Sequence, residues 1–403
     1  MDEKLTKLVN QIRLRPTVDQ LIPVPDLVAK LKRSEQVGKP LRIKLGIDPS
    51  APHLTLGHSI PLRKMRQFQD LGHTGVLVVG DFTRRIGDPS GRSSTRAAMN
   101  TEDIERNMAT YVEQAFKILD PEKTEIRYNS EWLGELTFAD VITLTSKYTV
   151  ARMLERDDFA KRFAGNLPIS ILEFLYPLAQ AYDSVAIHAD VELGGADQLF
   201  NLLVGRDIQR EYGQEPQVIL TVPLLIGTDG ERSMSQTTGN YVGIGEEPEE
   251  MYGKILSIPD NLLYEYFYQL TDVIVEDVQP MIEDAPRDAK RVLAREIVSI
   301  YHGKDAAMAA QEEFDRVHIQ HERPSEVPQV QIDRALIKEG GTIWIVDLLQ
   351  ASSLVKSRGE AKRLIAQGGV KINDERISSA DLDLPFNPPI LIQVGKRAFA
   401  EAV

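Results

Sequence analysis

The sequence predicts an α/β fold in which helices cover both faces of a parallel sheet. Short apolar segments alternate with longer helical periods as far as about residue 230, the pattern of strand–helix–strand units. Residues 247–320 have helical periodicity without strand signals, and the end of the chain returns to short helices and strands. We therefore predict an α/β domain over residues 1–230, a helical domain over 231–320, a linker over 321–340 and a small α+β domain over 341–403.

Apolar periodicity places the elements of the first domain in order. An amphipathic start over residues 5–31 precedes the first strand, which Pro49 and Pro52 end. The predicted strands are residues 41–47, 75–79, 125–128, 185–193 and 217–225. The predicted helices are residues 56–71, 101–119, 138–155, 170–182 and 197–212.

The C-terminal part begins with a stretch that has two prolines and no periodicity, residues 321–330, which is typical of a linker. Two short helices are predicted over 343–349 and 358–367. Gly368 and Gly369 then favour a turn into a strand over 370–372, and a second strand is predicted near 390–394.

Composition excludes several classes of protein. The chain has 403 residues, no cysteine and a formal net charge of −13, so disulfides, thiolate metal sites and an all-basic surface are excluded. A local basic patch can still bind nucleic acid. No apolar run approaches the roughly 18 residues that cross a bilayer, and the N-terminus lacks the apolar segment of a secretory signal. These features predict a soluble cytoplasmic protein without membrane contact.

The first candidate site is the segment 46–58, which joins the first strand to a long helix. Ligands of open α/β sheets bind at the carboxyl ends of strands, and a helix N-terminus there offers free N–H groups to phosphates. Gly57 would allow a purine or ribose to approach, and His58 is placed to donate a hydrogen bond. The alternative is a capped loop without a ligand.

The second candidate site, residues 80–96, follows the second strand. Asp88 stands between glycine and proline, which suits a fixed carboxylate facing a cationic ligand. Arg84, Arg85, Arg92 and Arg96 concentrate positive charge, and arginine forks suit phosphate oxygens. The alternative is a solvated basic turn.

The third candidate site lies on a predicted helix. Tyr176, Gln180 and Asp183 are spaced i, i+4, i+7 and share one helical face among apolar neighbours. Converging polar groups on an apolar helix indicate a pocket for a small polar ligand with an aromatic part. The alternative is a set of satisfied polar groups at a domain boundary.

The fourth candidate site is the segment 194–201, between a strand and a helix. Asp197 is placed either to cap that helix or to accept a hydrogen bond from a ribose hydroxyl. A further segment, residues 227–242, has the glycines and hydroxyls of a mobile loop over a nucleotide's phosphates, but it has no lysine.

In this order and spacing, the four motifs resemble those of the bacterial tyrosyl-tRNA synthetases, a family of class I aminoacyl-tRNA synthetases. The resemblance runs from about residue 30 to the C-terminus, on GDPSGR (87–92), YxxxQAYD (176–183) and GGxDQxxN (194–201). It implies a Rossmann-like catalytic domain, a helical anticodon-recognition domain and a small α+β domain similar to ribosomal protein S4. It also implies a homodimer that joins L-tyrosine to tRNA(Tyr) through a tyrosyl-adenylate. ATP with Mg²⁺ would be consumed, with release of AMP and pyrophosphate, and no protein-bound metal is expected.

The resemblance also implies roles for individual residues. Lys44, which stands where some members have a tyrosine that contacts the phenol, receives no role. The implied tyrosine-binding residues are Asp48, Asp88, Tyr176, Gln180, Asp183 and Gln198. The implied ATP-binding residues are Gly46, Gly57, His58, Gly195, Asp197 and Met234, and the implied catalytic residues are Thr55, His58, Arg92, Arg96 and Ser235. In the S4-like domain, tRNA-backbone contacts are implied for Arg358, Lys362 and Arg363.

The chain departs from both class I signatures. The first reads Thr-Leu-Gly-His at 55–58, without its first histidine, and the second reads Ser-Met-Ser-Gln-Thr at 233–237, without its two lysines. These groups would offset charge on the β- and γ-phosphates. Three interpretations follow: an active enzyme in which Arg84, Arg85 or Arg232 supplies the charge, a weakened or specialised paralogue, or a protein that binds tyrosine or RNA without efficient activation.

Overall fold

Five parallel strands and one antiparallel edge strand form the sheet of the N-terminal unit. Its order is β1–β6–β5–β2–β3–β4, and only β1 runs antiparallel, against β6. The carboxyl ends of the five parallel strands therefore meet at one edge. The strands are β1 (Gln20–Ile22), β2 (Arg42–Ile47), β3 (Thr74–Val79), β4 (Thr124–Tyr128), β5 (Val191–Gly195) and β6 (Val218–Val222).

The computed structural model describes residues 3–14, 16–49, 52–88, 110–320, 327–395 and 398–403. The chain divides into two units, Met1–Gly303 and Lys304–Val403. The domain boundaries at residues 230, 320 and 340 stay predictions. No helix in the described part of the chain combines the length and the hydropathy needed to cross a membrane.

Helices cover the sheet because its central strands are apolar on both faces. In β6 every residue is buried, and in β3 five consecutive residues are, which is typical of a parallel sheet enclosed on both sides. Besides the helical residues 110–115, the α-helices of this unit that precede β5 are Glu3–Leu14, Val24–Val37, Leu56–Asp70, Thr83–Ile86, Ser130–Leu133, Phe138–Thr145, Val150–Met153, Asp157–Ala164 and Ile171–Ala186. Those that follow it are Leu199–Glu211, Pro248–Leu256, Leu263–Leu270, Val275–Asp284 and Pro286–His302.

The α/β fold class is confirmed, but several boundaries differ from the prediction. The strand predicted at 185–193 begins only at Val191, because Val185 continues the preceding helix and packs in its core against Val204 and Ile208. The helix predicted at 138–155 is two helices, since Thr149 caps a second one by accepting a hydrogen bond from the N–H of Arg152 at 3.3 Å.

The first thirty residues also differ from the prediction of one amphipathic segment. Two helices, Glu3–Leu14 and Val24–Val37, flank the edge strand β1, and Pro23 stands at the start of the second helix. Of the helix predicted at 101–119, residues 101–109 lie outside the described residues, and residues 110–115 are helical.

The C-terminal unit has its own sheet and core. Its five-stranded sheet has the order β10–β9–β12–β13–β7, and β8 pairs with β11. Isoleucine, leucine and valine side chains from strands and helices form a separate buried cluster. The predicted helix at 343–349 begins only at Ile345, since residues 342–344 form β8. The strands are β7 (Gln329–Val330), β8 (Thr342–Trp344), β9 (Val370–Ile372), β10 (Glu375–Arg376), β11 (Asp383–Pro385), β12 (Ile390–Val394) and β13 (Ala398–Ala402), and the α-helices are Lys304–Phe314, Ile345–Ala351 and Arg358–Ala366.

Candidate active site

A cavity of about 560 Å³ lies at the carboxyl edge of the N-terminal sheet. The ends of β2, β3, β5 and β6, two long helices and the loop around Met234 enclose it. The structure brings together on its wall the following residues from the sequence analysis: Gly46, Asp48, Thr55, Gly57, His58, Asp88, Tyr176, Gln180, Asp183, Gly195, Asp197, Gln198, Met234 and Ser235.

The remaining candidates are elsewhere. Arg92 and Arg96 lie outside the described residues. Arg358, Lys362 and Arg363 belong to the C-terminal unit, on the helix Arg358–Ala366.

Asp48 lies at the end of β2 and is fixed by two hydroxyl donors. The hydroxyl of Thr83 donates to its Oδ1 at 2.9 Å, and that of Tyr176 donates to its Oδ2 at 3.0 Å. Removal from bulk water, and secondarily the charge of Asp88, raises the pKa of Asp48 to about 6. A Cβ on Gly80 would come within 2.0 Å of Asp48 Oδ1, so only glycine fits beside this carboxylate.

Among Asp48, Asp88, Asp183 and Asp197, which line the cavity, Asp183 is the most deeply buried. The indole N–H of Trp132 donates to its Oδ1 at 2.8 Å, and the amide of Asn129 donates to its Oδ2 at 3.3 Å. Burial raises the pKa of Asp183 to about 7, although Lys44 and these donors oppose the shift. The sequence analysis missed Asn129 and Trp132. The one indication of their role in the sequence was their position just after β4, at the carboxyl edge of the sheet.

A buried ion pair supports the helix that bears Gln180. Lys44 Nζ lies 2.8 Å from Glu192 Oε1, and both side chains are almost fully buried. The ammonium also donates to the carbonyl of Gln180 at 2.9 Å and to the hydroxyl of Ser184 at 2.8 Å. The side-chain Oε1 of Gln180 is buried and has no hydrogen-bond partner among the described residues, so this cavity-lining residue has an acceptor available to a donor.

Asp88 and Gln198, which both line the cavity, are joined by a hydrogen bond. The amide of Gln198 donates to Asp88 Oδ2 at 2.9 Å, and Gln198 in turn accepts from Asn201 at 3.0 Å. Asp197 does not cap the next helix, which has no side-chain cap bond, because Asp197 lies within the 3₁₀ turn Ala196–Gln198. The helix-capping alternative is therefore wrong.

The first class I signature contains a neutral histidine. The backbone N–H of Thr55 donates to His58 Nδ1 at 3.1 Å, and the Thr55 hydroxyl lies 2.8 Å from the same nitrogen. Nδ1 is therefore an acceptor, and the proton is on Nε2. Desolvation lowers the pKa of His58 to about 4, which keeps the ring uncharged. The hydroxyl of Thr55 contacts His58 at the start of the helix Leu56–Asp70.

The side chain of Asn240 holds the second signature loop in place. It accepts from the N–H of Ser235 at 2.9 Å and from the hydroxyl of Thr238 at 2.6 Å, and it donates to Asp229 at 3.0 Å. The amide of Gln236 donates to the carbonyl of His53, next to the first signature. The two signatures are thus in direct contact.

The three arginines proposed to replace the missing lysines do not line the cavity. Arg84 is buried, and Arg85 is exposed with its guanidinium 5.9 Å from the ring centre of Phe82. Arg232 pairs with Asp229 at 3.0 Å while its side chain is 63% exposed. The structure therefore gives no support to charge replacement by these residues. Among the described residues, no group of three or more His, Asp and Glu side chains is arranged to hold a metal ion.

Comparisons with known proteins agree with this architecture. Residues 35–318 match the family model of class I tRNA synthetases (W and Y), and residues 343–385 match the S4 domain. The chain belongs to the family of class I tRNA synthetases (W and Y).

The similar relatives within that family are named tyrosine–tRNA ligases. The tyrosine–tRNA ligase of Thermotoga maritima is 55% identical over 96% of this chain and 95% of that protein. That of Carboxydothermus hydrogenoformans is 52% identical over 96% and 95%. The crystal structure of an Archaeoglobus fulgidus tyrosyl-tRNA synthetase complexed with L-tyrosine has the same fold, with a TM-score of 0.60 and 18% identity over 76% of this chain and 99% of that one. The resemblance to bacterial tyrosyl-tRNA synthetases is confirmed.

We expect Gly80→Ala to destabilise the protein by about 1–3 kcal/mol, because its Cβ would overlap the Asp48 carboxylate and the Thr83 hydroxyl. Gly253→Ala is the matched control, since its Cβ meets no atom within 4 Å and it lies inside a helix. Thermal unfolding of both variants measures the difference. Equal melting temperatures for the two would show that Asp48 moves aside without cost.

Proposed function

We infer that this chain ligates L-tyrosine to tRNA(Tyr) in two steps, through a tyrosyl-adenylate formed from ATP. One observation carries the inference. The polar groups that a tyrosine needs at its two ends line the same cavity as a helix N-terminus suited to phosphates. Tyrosine–tRNA ligases that are more than 50% identical over nearly the whole chain support it.

Tyrosine fits the cavity with its phenol at Asp183 and its ammonium between Asp88, Tyr176 and Gln180. The Asp183 carboxylate accepts the phenolic O–H, and a buried site built for a hydroxyl discriminates strongly against a substrate that lacks it. At the other end, the unpartnered Oε1 of Gln180 accepts from the ammonium, which also faces the carboxylate of Asp88.

ATP occupies the part of the cavity beside the two signatures. Gly46 and Gly57 leave space for the nucleoside, Asp197 accepts from the ribose, and the Nε2–H of neutral His58 donates to the nucleotide. The N-terminus of the helix Leu56–Asp70 presents its free N–H groups toward the phosphates. Mg²⁺ enters with ATP as part of the substrate complex.

The chemistry rests on positioning rather than on covalent catalysis. The tyrosine carboxylate attacks the α-phosphorus, forming a new P–O bond while the bond to pyrophosphate breaks. A ribose hydroxyl of the tRNA terminus then attacks the activated carbonyl, and AMP leaves. In the loop 233–237, the hydroxyl groups of Ser233, Ser235 and Thr237 line the cavity and stand in place of the lysines beside the departing pyrophosphate.

The tRNA is held by the C-terminal unit. Arg358 and Lys362 lie over the ring of Trp344, at 5.9 and 5.3 Å from its centre, and Arg363 is 65% exposed. Cations on an exposed helix suit the tRNA backbone, with contacts that weaken as salt rises. We propose that the protein acts in the cytoplasm, in keeping with its bacterial tyrosine–tRNA ligase relatives.

The enzyme is a homodimer in this proposal. Large apolar side chains that are exposed in the monomer concentrate in one segment of the N-terminal unit: Phe138, Ile142, Val150, Phe163, Leu167, Ile171 and Leu172. Exposed apolar groups of this size, close along the chain, are typical of a subunit interface. We propose that two copies associate through this segment.

Tyrosine-dependent exchange of pyrophosphate into ATP tests the proposed function. We expect exchange with tyrosine and much less with phenylalanine, because Asp183 requires the hydroxyl. Exchange no greater than in reactions without amino acid, at saturating ATP, would contradict adenylate formation. If tyrosine still bound by calorimetry, the protein would be a binding relative rather than a ligase.

We expect the double variant Ser233→Lys, Gln236→Lys to exchange pyrophosphate about 10- to 100-fold faster, since two cations would stabilise charge on the leaving group. Ser233→Met, Gln236→Met is the matched control, with long side chains but no charge. A rate unchanged by the lysines would mean that the loop charge does not limit the reaction.

Tyrosine affinity should increase between pH 6 and pH 8. Because the pKa of Asp183 is raised to about 7, its carboxylate is mostly neutral at pH 6 and mostly ionised at pH 8, and the ionised form is the stronger acceptor. We expect the Kd for tyrosine to fall by about fivefold over this range.

Calorimetry across pH with Asp183→Asn checks this assignment. The variant should lose the change near pH 7 and keep any change near pH 6, where Asp48 titrates. An identical pH profile in the two proteins would assign the transition to another group.

Phe138→Asp and Ile171→Asp should each convert the dimer to monomer, because these side chains are 79% and 80% exposed within the proposed interface. Val37→Asp is the control, as Val37 is 69% exposed but lies outside this segment. Sedimentation velocity gives the oligomeric state. A wild-type protein that sediments as a monomer at micromolar concentration would refute the dimer.

A further inference from the structure

Four aspartate side chains line the cavity. They are Asp48, Asp88, Asp183 and Asp197. Where water is partly excluded, a cation beside a carboxylate interacts with it more strongly and can fix its orientation. Arg156 is such a cation, with Nη2 at 3.9 Å from Asp88 Oδ1.

Arg156 comes from none of the four candidate sites and does not line the cavity. It stands directly before the helix Asp157–Ala164, where its side chain is only 7% exposed. Its guanidinium lies 5.1 Å from the ring centre of Phe159 and 6.0 Å from that of Phe200. Its Nε pairs with Asp158 at 2.8 Å. The guanidinium is therefore fixed between two rings and an anion before any ligand arrives.

A network of hydrogen bonds and one ion pair links Arg156 to both oxygens of Asp88. Arg156 Nη1 donates to the side-chain oxygen of Asn201 at 3.3 Å, and Asn201 donates to Gln198 Oε1 at 3.0 Å. Gln198 donates to Asp88 Oδ2 at 2.9 Å, while Arg156 faces Oδ1. Both oxygens of Asp88 are thus oriented by groups that lead back to Arg156.

We propose that Arg156 is a positioning residue for the ammonium subsite, orienting the Asp88 carboxylate toward the amino group of the substrate. It acts through Asp88 and Gln198 and does not touch the substrate. The proposal rests on the proposed function, because it takes tyrosine as the ligand. A purely structural role, in which Arg156 only fixes the start of the helix Asp157–Ala164, predicts a different response to ligands that lack the amino group.

Calorimetry with two ligands separates these roles. The ligands are L-tyrosine and 3-(4-hydroxyphenyl)propionate, which has the phenol and the carboxylate but no ammonium. We expect Arg156→Met to weaken tyrosine binding by about 10-fold, because Asp88 loses its nearby cation and Asn201 loses the donor that orients it. The Kd of the propionate should stay within about twofold of the wild-type value. Arg156→Lys retains the charge without the fork and should weaken tyrosine binding by an intermediate factor.

Arg152→Met is the control for loss of an arginine from the same segment. Arg152 is half-exposed and pairs with Asp207 at 2.7 Å, away from the cavity wall, so its variant should bind both ligands like the wild type. Equal losses for both ligands in Arg156→Met, or unchanged tyrosine binding, would overturn the proposal. If Arg156→Met does not fold, the test is the ratio of the tyrosine Kd to the propionate Kd in Arg156→Lys. A ratio equal to that of the wild type would overturn the proposal.

The outcomes also distinguish the two proposals. A wild-type protein that binds no tyrosine would refute the proposed function itself. A wild-type protein that binds tyrosine, with an Arg156→Lys variant that binds it equally well, would refute only the role of Arg156.

Discussion

Parallel pairing of β2 with strands on both its sides is the constraint on which the site depends. On one side of β2, Ile47 lies opposite Val79 of β3. On its other side, Leu45 lies opposite Leu193 of β5. These pairings bring the ends of three strands to one edge. Asp48 therefore follows β2 next to Gly80, which follows β3. A slip of one residue would turn every side chain of the strand to the other face and move Asp48 away from its hydroxyl donors.

Removal of water then determines the chemistry of the groups at that edge. The same loss of solvation raises the pKa values of Asp48 and Asp183 and lowers that of His58. The protein opposes this with fixed donors: Thr83, Tyr176, Asn129 and Trp132 each donate to one of the two carboxylates. The result is a preorganised polar surface, on which the ammonium group of a bound substrate takes the place of the excluded water.

Much of the fold was predictable because the apolar residues of its strands and helices follow clear sequence patterns. The helix Leu56–Asp70 and the strands β2, β3 and β6 follow from apolar patterns alone, as does the spacing that places Tyr176, Gln180 and Asp183 on one helical face. The edge strand β1 was not predictable, since three residues between two helices have no measurable period and pair with β6 far along the chain.

The missed residues of the site share a physical reason. Trp132 contacts Asp183 across 51 positions of sequence, and Arg156 contacts Asp88 from a segment far along the chain. Such contacts depend on tertiary packing, and no local pattern indicates them. The signature loop shows the converse: its missing lysines were evident from the sequence, but its anchoring through Asn240 and the carbonyl of His53 required the fold.

The ion pair between Lys44 and Glu192 limits how this pocket can evolve. A single unpaired charge buried between β2 and β5 costs more free energy than the ion pair does, so neutralising either residue alone destabilises the protein. A neutral residue at position 44 therefore requires a compensating substitution at position 192. The two positions should be inherited together as a unit across descendants of this chain.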